Sequence, residues 1–190
     1  MRVIGGQAKG RRLRAVPGDR TRPITDRVKQ SLFDTLGNNV VGSHFLDLFA
    51  GTGSVGIEAL SRGAARVVFV ERSARAVQVI RHNLQVTQLA DRARVVRADV
   101  FAFLSRPRAE EAPFDFVYIA PPQYQGLWIE TVLTLDAESF PLLSNESCII
   151  VQIHPKEYAP SPLTNLELTE QRNYGSTLLC FYQSLAPLDE

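Results

Sequence analysis

The residues of this chain that could do chemistry gather at the ends of short apolar runs. In FLDLFAGTGSVGIEAL, residues 45–60, such a run enters a Gly51-x-Gly53-x-x-Gly56 turn and a helical pattern opens directly afterwards. That setting lets the backbone approach a ligand closely at Gly51 and Gly53 and lets helix and strand pack tightly at Gly56. Asp47 lies four positions before Gly51, where a carboxylate can accept hydrogen bonds from, or pair with, a cationic amine. Glu71 ends the next run, 20 residues after Gly51, at the position that usually binds ribose hydroxyls. Asp99 closes ARVVRAD, where it can meet an exocyclic adenine amine with Val100 and Phe101 beside the ring. One such acid is as readily a helix cap or an arginine partner, but three at successive strand ends favour a ligand with a ribose at one end and an ammonium at the other. Further on, in FDFVYIAPPQYQGLW (114–128), a strand stops at Ala120-Pro121-Pro122 with Tyr124 and Trp128 just beyond.

These residues need elements to hold them. HFLDLFA, ARVVFVE, ARVVRAD and FDFVYIA read as near-continuous apolar strands, the signature of a parallel sheet covered on both faces. Helical patterns alternate with them: SVGIEALSRG, SARAVQVIRHNLQ with Ser73 as cap and Val77, Ile80 and Leu84 on one face, and a short helix near 99–105. Before them, RPITDRVKQSLFDTLG spaces Val28, Leu32 and Leu36 as a buried stripe, with Thr25 as N-cap and Gly37 as stop. After a helix over LWIETVLTL, with Trp128 on its inner face, come ESCIIVQI, TNLELTEQR and STLLCFYQSL. The last two are joined by NYGS as an antiparallel hairpin at the sheet edge. The architecture expected is a doubly wound, mainly parallel α/β sheet with a C-terminal antiparallel hairpin and, from MRVIGGQAKGRRLRAVPG, a small N-terminal β-hairpin extension.

The totals agree with one domain: 190 residues, 45% hydrophobic. No apolar run is long enough for a membrane span and the start has no apolar signal core, so the expected location is cytoplasmic. Cys148 and Cys180 lie in apolar runs as packing residues, and His44, His82 and His154 are scattered, so no metal site is expected. The net charge of +1 conceals a polarity. Residues 1–30 carry nine Lys or Arg against Asp19 and Asp26, a local +7 that leaves −6 for the rest. A basic head on a mildly acidic body suits a polyanionic partner.

The sequence resembles the class I S-adenosylmethionine-dependent methyltransferases, whose first motif is an acid followed by a Gly-x-Gly turn. More narrowly, it is similar to the bacterial small-subunit (16S) ribosomal RNA guanine-N2 methyltransferase family. The likeness rests on RVIGGQAKGRRL, RPITDRVKQSLFDTL, FLDLFAGTGSVGIEALSRGA and the proline pair after the fourth strand, and it covers nearly the whole chain. It implies a seven-stranded Rossmann-like sheet, a methyltransferase domain over 23–190 behind a basic hairpin extension over 1–22, and S-adenosylmethionine as cofactor. Asp47, Ala50, Gly51, Thr52, Gly53, Glu71, Arg72, Asp99, Val100 and Thr25 fall at cofactor positions. Arg2, Lys9, Arg11, Arg12, Arg14 and Arg22 fall on the RNA-facing side, and Arg22 with Thr25 in a segment bordering cofactor and substrate. The implied partner is ribosomal RNA within an assembled or assembling small subunit, met by a monomer.

The resemblance also assigns Ala120, Pro121, Pro122 and Tyr124 to the transfer site. In amine-directed members of the superfamily, strand four ends in an acid or amide, then Pro-Pro, then an aromatic. The prolines fix carbonyl oxygens toward the pocket, those carbonyls and the preceding side chain accept from the exocyclic amine, and the aromatic stacks on the extruded base. Here Ala120 replaces the acid or amide, and Gln123 intervenes before Tyr124. The expectation is that the Ala120 and Pro121 carbonyls, with the Gln123 amide, act as acceptors and that Tyr124 stacks from one position later. The competing reading is a cofactor- and RNA-binding protein whose catalysis Ala120 has impaired. A DNA methyltransferase would need a target-recognition domain for which 190 residues leave no room, and a nicotinamide oxidoreductase would not place Asp47 on the strand.

Overall fold

The computed structural model describes residues 1–17, 24–106, 113–137 and 142–185. In chain order the elements are α1 (Asp26–Leu36), β1 (His44–Leu48), α2 (Ser54–Ser61), β2 (Arg66–Glu71), α3 (Ala74–Thr87), β3 (Ala93–Arg97), α4 (Val100–Leu104), β4 (Phe114–Ile119), α5 (Leu127–Leu135), β5 (Leu143–Ile153), β6 (Leu166–Tyr174) and β7 (Thr177–Ser184). One seven-stranded sheet runs β3-β2-β1-β4-β5-β7-β6. The first five strands pair in parallel, and β7 enters antiparallel between β5 and β6. The hairpin therefore lies at the edge with its later strand inside.

Alternation along the strands sends side chains to two cores. Phe45, Val67, Phe69, Phe116 and Tyr118 face α1, α2 and α3, whereas Leu46, Leu48, Val68, Val70, Val117 and Ile119 face α4 and α5. Thr25 caps α1 by accepting from the Val28 N–H at 3.3 Å, and Ser73 caps α3 by accepting from Ala76 at 3.3 Å. Trp128 is buried on the inner face of α5 and stacks on Tyr158. Cys180 is fully buried and Cys148 half-buried, with burial pushing the Cys148 thiol up to about 12, as suits packing residues.

The head of the chain is bonded into this body. Arg2 and Arg12 form an antiparallel bridge, with Val3 donating to the Arg11 carbonyl and Leu13 to that of Met1, while Val3, Ala8 and Leu13 join the core. A buried ion pair, invisible as such in the sequence, fixes the turn. Lys29 Nζ lies 3.3 Å from Glu58 Oε2, both side chains fully buried, and donates to the Arg2 carbonyl at 2.7 Å and Ser54 Oγ at 3.2 Å. Glu58 also accepts from the Ile4 and Gly5 N–H groups and from Arg62 Nε. Burial lowers the Lys29 pKa and the Glu58 charge opposes that shift. With every oxygen and proton partnered, the pair meets the condition under which buried charges are tolerated. Only glycine fits at position 6, where φ is +70° and a Cβ would sit 1.8 Å from the Ser61 carbonyl oxygen. The expected division at 22/23 falls outside the described residues.

Candidate active site

Where β1, β2 and β4 end, the sheet opens into a cavity of about 820 Å³. Its position at the carboxyl rim follows from the parallel topology, since the strand-to-helix loops on that side diverge. Two halves can be separated by which strands supply them.

Over β1, β2 and β3, the wall contains Asp47, Phe49, Ala50, Gly51, Thr52, Glu71, Arg72, Asp99, Val100 and Phe101. Each of the three carboxylates serves backbone N–H groups. Asp47 Oδ2 accepts from Gly56 N at 3.0 Å, acting as a remote cap for α2, whose N-cap Gly53 has no side chain to offer. Glu71 bridges the Gly51 N–H at 2.9 Å and the Ser73 N–H at 2.8 Å. Asp99 caps α4 through Phe101 and Ala102. All three acids thus brace main-chain N–H groups, and all three also line the cavity. Asp47 Oδ1 and Asp99 Oδ2 carry no hydrogen bond among the described residues. Asp47 is 2% exposed, and burial together with the Glu71 charge pushes its carboxyl up to about 8 against the opposing Gly56 N–H. The glycine turn is sterically specified: a Cβ on Gly56 would come within 2.3 Å of the Phe69 ring. Phe49, a non-glycine at φ +57°, turns the chain from β1 into the loop, a strained conformation of the kind held at ligand sites.

Over β4 and β5, the wall contains Tyr118, Ala120, Pro121, Pro122, Gln123, Leu127 and Gln152. Tyr118 Oη donates to Gln152 Oε1 at 2.5 Å, and burial next to Asp47 raises the phenol pKa, so it stays a donor. Tyr124 lies outside this wall, 65% exposed at φ +60°, with its ring centroid 5.7 Å from that of His154. Its N–H donates to Glu157 Oε1, and Glu157 Oε2 accepts from His154 N in a capping box over Pro155–Glu157. Tyr124 thus rests against His154 at the rim.

Val16, Pro17 and Ile24 close the remaining side, and Arg75 Nη1 donates to the Pro17 carbonyl. Thr25 does not line the cavity; its hydroxyl is engaged as the α1 cap and its neighbour Ile24 takes the wall position. Gly53 likewise lies behind the wall, which Thr52 and Ser54 form on either side of it. Lys9, Arg11, Arg12 and Arg14 are exposed, as is Arg2, which pairs with Asp26 at 2.9 Å. Arg22 lies outside the described residues. Sequence reasoning did not single out Tyr118, Gln152, Phe49, Asn83 or Glu157. Asn83 exchanges hydrogen bonds with the Arg14 backbone and donates to the Thr52 carbonyl, tying the basic head to the glycine loop. A polar residue inside CIIVQI was the available signal for Gln152.

A nucleotide-sized cavity at the carboxyl rim of a doubly wound sheet, with an antiparallel strand inserted beyond the fifth parallel one, defines a Rossmann-like fold of the class I methyltransferase type. The chain belongs to the family described as conserved hypothetical protein 95, whose model matches residues 1–183. It is 37% identical over 183 residues to the Bacillus subtilis protein YlbH, covering 96% of this chain and 98% of that one. It is 34% identical over 183 residues to the Escherichia coli protein named ribosomal RNA small subunit methyltransferase D, covering 96% of this chain and 89% of that one. The solved Escherichia coli protein yhhF superposes with a TM-score of 0.84 at 34% identity, over 97% of each chain. No helix among the described residues is long and apolar enough to cross a membrane, and no cluster of His, Cys, Asp and Glu there could hold a metal ion.

Proposed function

We propose that this chain is an enzyme that methylates the exocyclic N2 amine of a guanine in small-subunit ribosomal RNA, with S-adenosylmethionine as methyl donor. The observation that carries the reading is that one cavity contains both the three-carboxylate rim and the Ala120-Pro121-Pro122 ledge. The name of the Escherichia coli relative supports the substrate class.

The residues present fit the donor. Its adenine has apolar wall from Val70, Ala98, Val100 and Phe101 and an acceptor in Asp99, its ribose has Glu71, and its ammonium has the buried, half-bonded Asp47. When bound, it supplies a methyl group on a positively charged sulfur that is already a good leaving group. The chain's own part is alignment. Pro121 and Pro122 hold the backbone rigid beside the pocket, their neighbours offer acceptors to an amine, and Tyr124 stands at the rim to stack on a base drawn out of its helix. Arg2, Lys9, Arg11, Arg12, Arg14 and Arg22 serve the phosphates, from a basic extension over 1–22 attached to the methyltransferase domain of 23–190. The chain acts as a cytoplasmic monomer on an assembled or assembling subunit.

One observation favours a second reading, a binder without catalysis: Ala120 stands where an acid or amide is the pattern. Mapping modified bases by mass spectrometry, in cells with and without the protein, separates the two. A guanine that loses its N2-methyl on deletion supports transfer; an unchanged profile with retained cofactor and RNA binding supports the silent binder.

A further inference from the structure

Ala120 leaves the transfer ledge without a side-chain acceptor, yet the sheet places one beside it. β4 and β5 are in register at Ile119 and Val151, so Ala120, the first residue past β4, comes beside Gln152, which is still within β5. Tyr118 and Gln152 share the face on which Ala120 also falls, as the hydrogen bond between them shows. All three line the cavity. Tyr118 donates to Gln152 Oε1, which fixes the amide with its oxygen toward β4. An amide oxygen has two lone pairs, so one remains for a second donor, and Gln152 Nε2 has no partner among the described residues. A half-buried amide oriented by a buried phenol and left half-satisfied is a group waiting for a ligand with its own donor and acceptor.

We infer that Gln152 Oε1 is the side-chain acceptor for the exocyclic amine of the target base, taking the place vacated at Ala120, and that Tyr118 is the residue that positions it. The inference deepens the proposed function and rests on it. Gln152 Nε2 then meets the ring nitrogen acceptor next to the amine. During transfer the amine lone pair forms the new N–C bond while the C–S bond breaks and its electrons stay on sulfur. The nitrogen becomes positive and afterwards releases one proton to solvent. An acceptor held on one of its two N–H groups is worth more as that charge develops than in the ground state, so its loss falls on kcat rather than KM.

The test uses the purified full chain, small ribosomal subunits from cells lacking it, and radiolabelled S-adenosylmethionine. Gln152→Leu should lower kcat roughly 10- to 100-fold, the range of one hydrogen bond to a charged group, while KM for the subunits and the S-adenosylhomocysteine Kd stay within about 2-fold. Gln152→Glu, which keeps an acceptor, should lose less. Tyr118→Phe should lower kcat by less than Gln152→Leu and leave KM unmoved. Ala120→Asp should raise kcat by a larger factor in the Gln152→Leu background than in the wild-type background. Melting temperatures and nucleoside binding check that each variant is folded. Wild-type kcat in Gln152→Leu, or an equal gain from Ala120→Asp in both backgrounds, overturns the inference while the methyltransferase reading stands. A wild-type chain that binds S-adenosylhomocysteine but labels no guanine sinks both.

Discussion

The two halves of the cavity are built on different physics. Over β1–β3, three carboxyl groups accept from main-chain N–H groups, so the acidic rim is part of the fold itself. Over β4 and β5, the wall is neutral: an alanine, a leucine, two prolines, two amides and a phenol. Its carboxylate, Glu157, stands behind it and acts through the Tyr124 and His154 N–H groups. One half is arranged to hold a cation with hydroxyls, the other to aim an amine. Such a division matches a reaction in which the donor brings its own leaving group and the protein adds orientation.

If the halves are separate devices, a lesion in one should spare the other. Glu71→Ala should show the largest effect. It removes the bridge between Gly51 and Ser73 as well as the ribose acceptor, and should weaken S-adenosylhomocysteine binding about 100-fold by calorimetry, the scale of about 3 kcal/mol in charge-assisted hydrogen bonds. At saturating cofactor, kcat should hold. Glu157→Ala is the converse. It frees the Tyr124 and His154 N–H groups together, and should cut kcat about 30-fold, near 2 kcal/mol, without moving the nucleoside Kd. Comparable damage to both quantities from either change would erase the distinction.

The first half was largely legible in the sequence because its geometry is local. Asp47, the Gly51–Gly56 turn and Glu71 lie within one βαβ unit, so spacing alone fixes their neighbourhood. Caps at Thr25 and Ser73 and the stripes of α1 and α3 were readable for the same reason. The second half depends on which strands adjoin. Gln152 reaches Tyr118 across 34 positions of chain, and only the β4–β5 register brings them together. Lys29 and Glu58 were hidden differently. A charged residue on a helix reads as a solvent-facing position, and the basic head that covers this pair is itself charged. Tyr124 shows a further limit: its place in the motif suggests a base stack, and nothing in its spacing signals that its ring lies against His154.

Tyr124 sharpens the comparison on the substrate side. Tyr124→Ala should raise KM for the RNA about 10-fold, toward the lower end of what one stacked base is worth, and Tyr124→Phe should restore it, with nucleoside affinity constant in both. A loss shared by the phenylalanine variant would assign the hydroxyl rather than the ring.

Asp47 gives the smallest and most diagnostic effect, because it reports on charge within the first half. In the folded chain its carboxyl is held at about 8 by burial and by the Glu71 charge, far above the ordinary 3.8. A raised acid favours the protonated native state, so its contribution to stability is full below about pH 4 and is lost as pH rises through 8. A cationic ligand beside it has the opposite preference, since it binds the carboxylate. Binding must therefore draw off a proton below pH 8, and affinity should rise by about 5-fold from pH 7 to pH 8, the change in the ionised fraction for a group titrating there. The ligand's own amine also titrates in this range, so the measurement is the difference between the wild-type chain and Asp47→Asn. The asparagine variant should lose the pH-dependent part of both melting temperature and affinity that belongs to this carboxyl. Identical pH profiles in the two chains would mean that Asp47 is ionised throughout and that its task is to cap α2 through Gly56, leaving Glu71 and Asp99 to hold the cofactor.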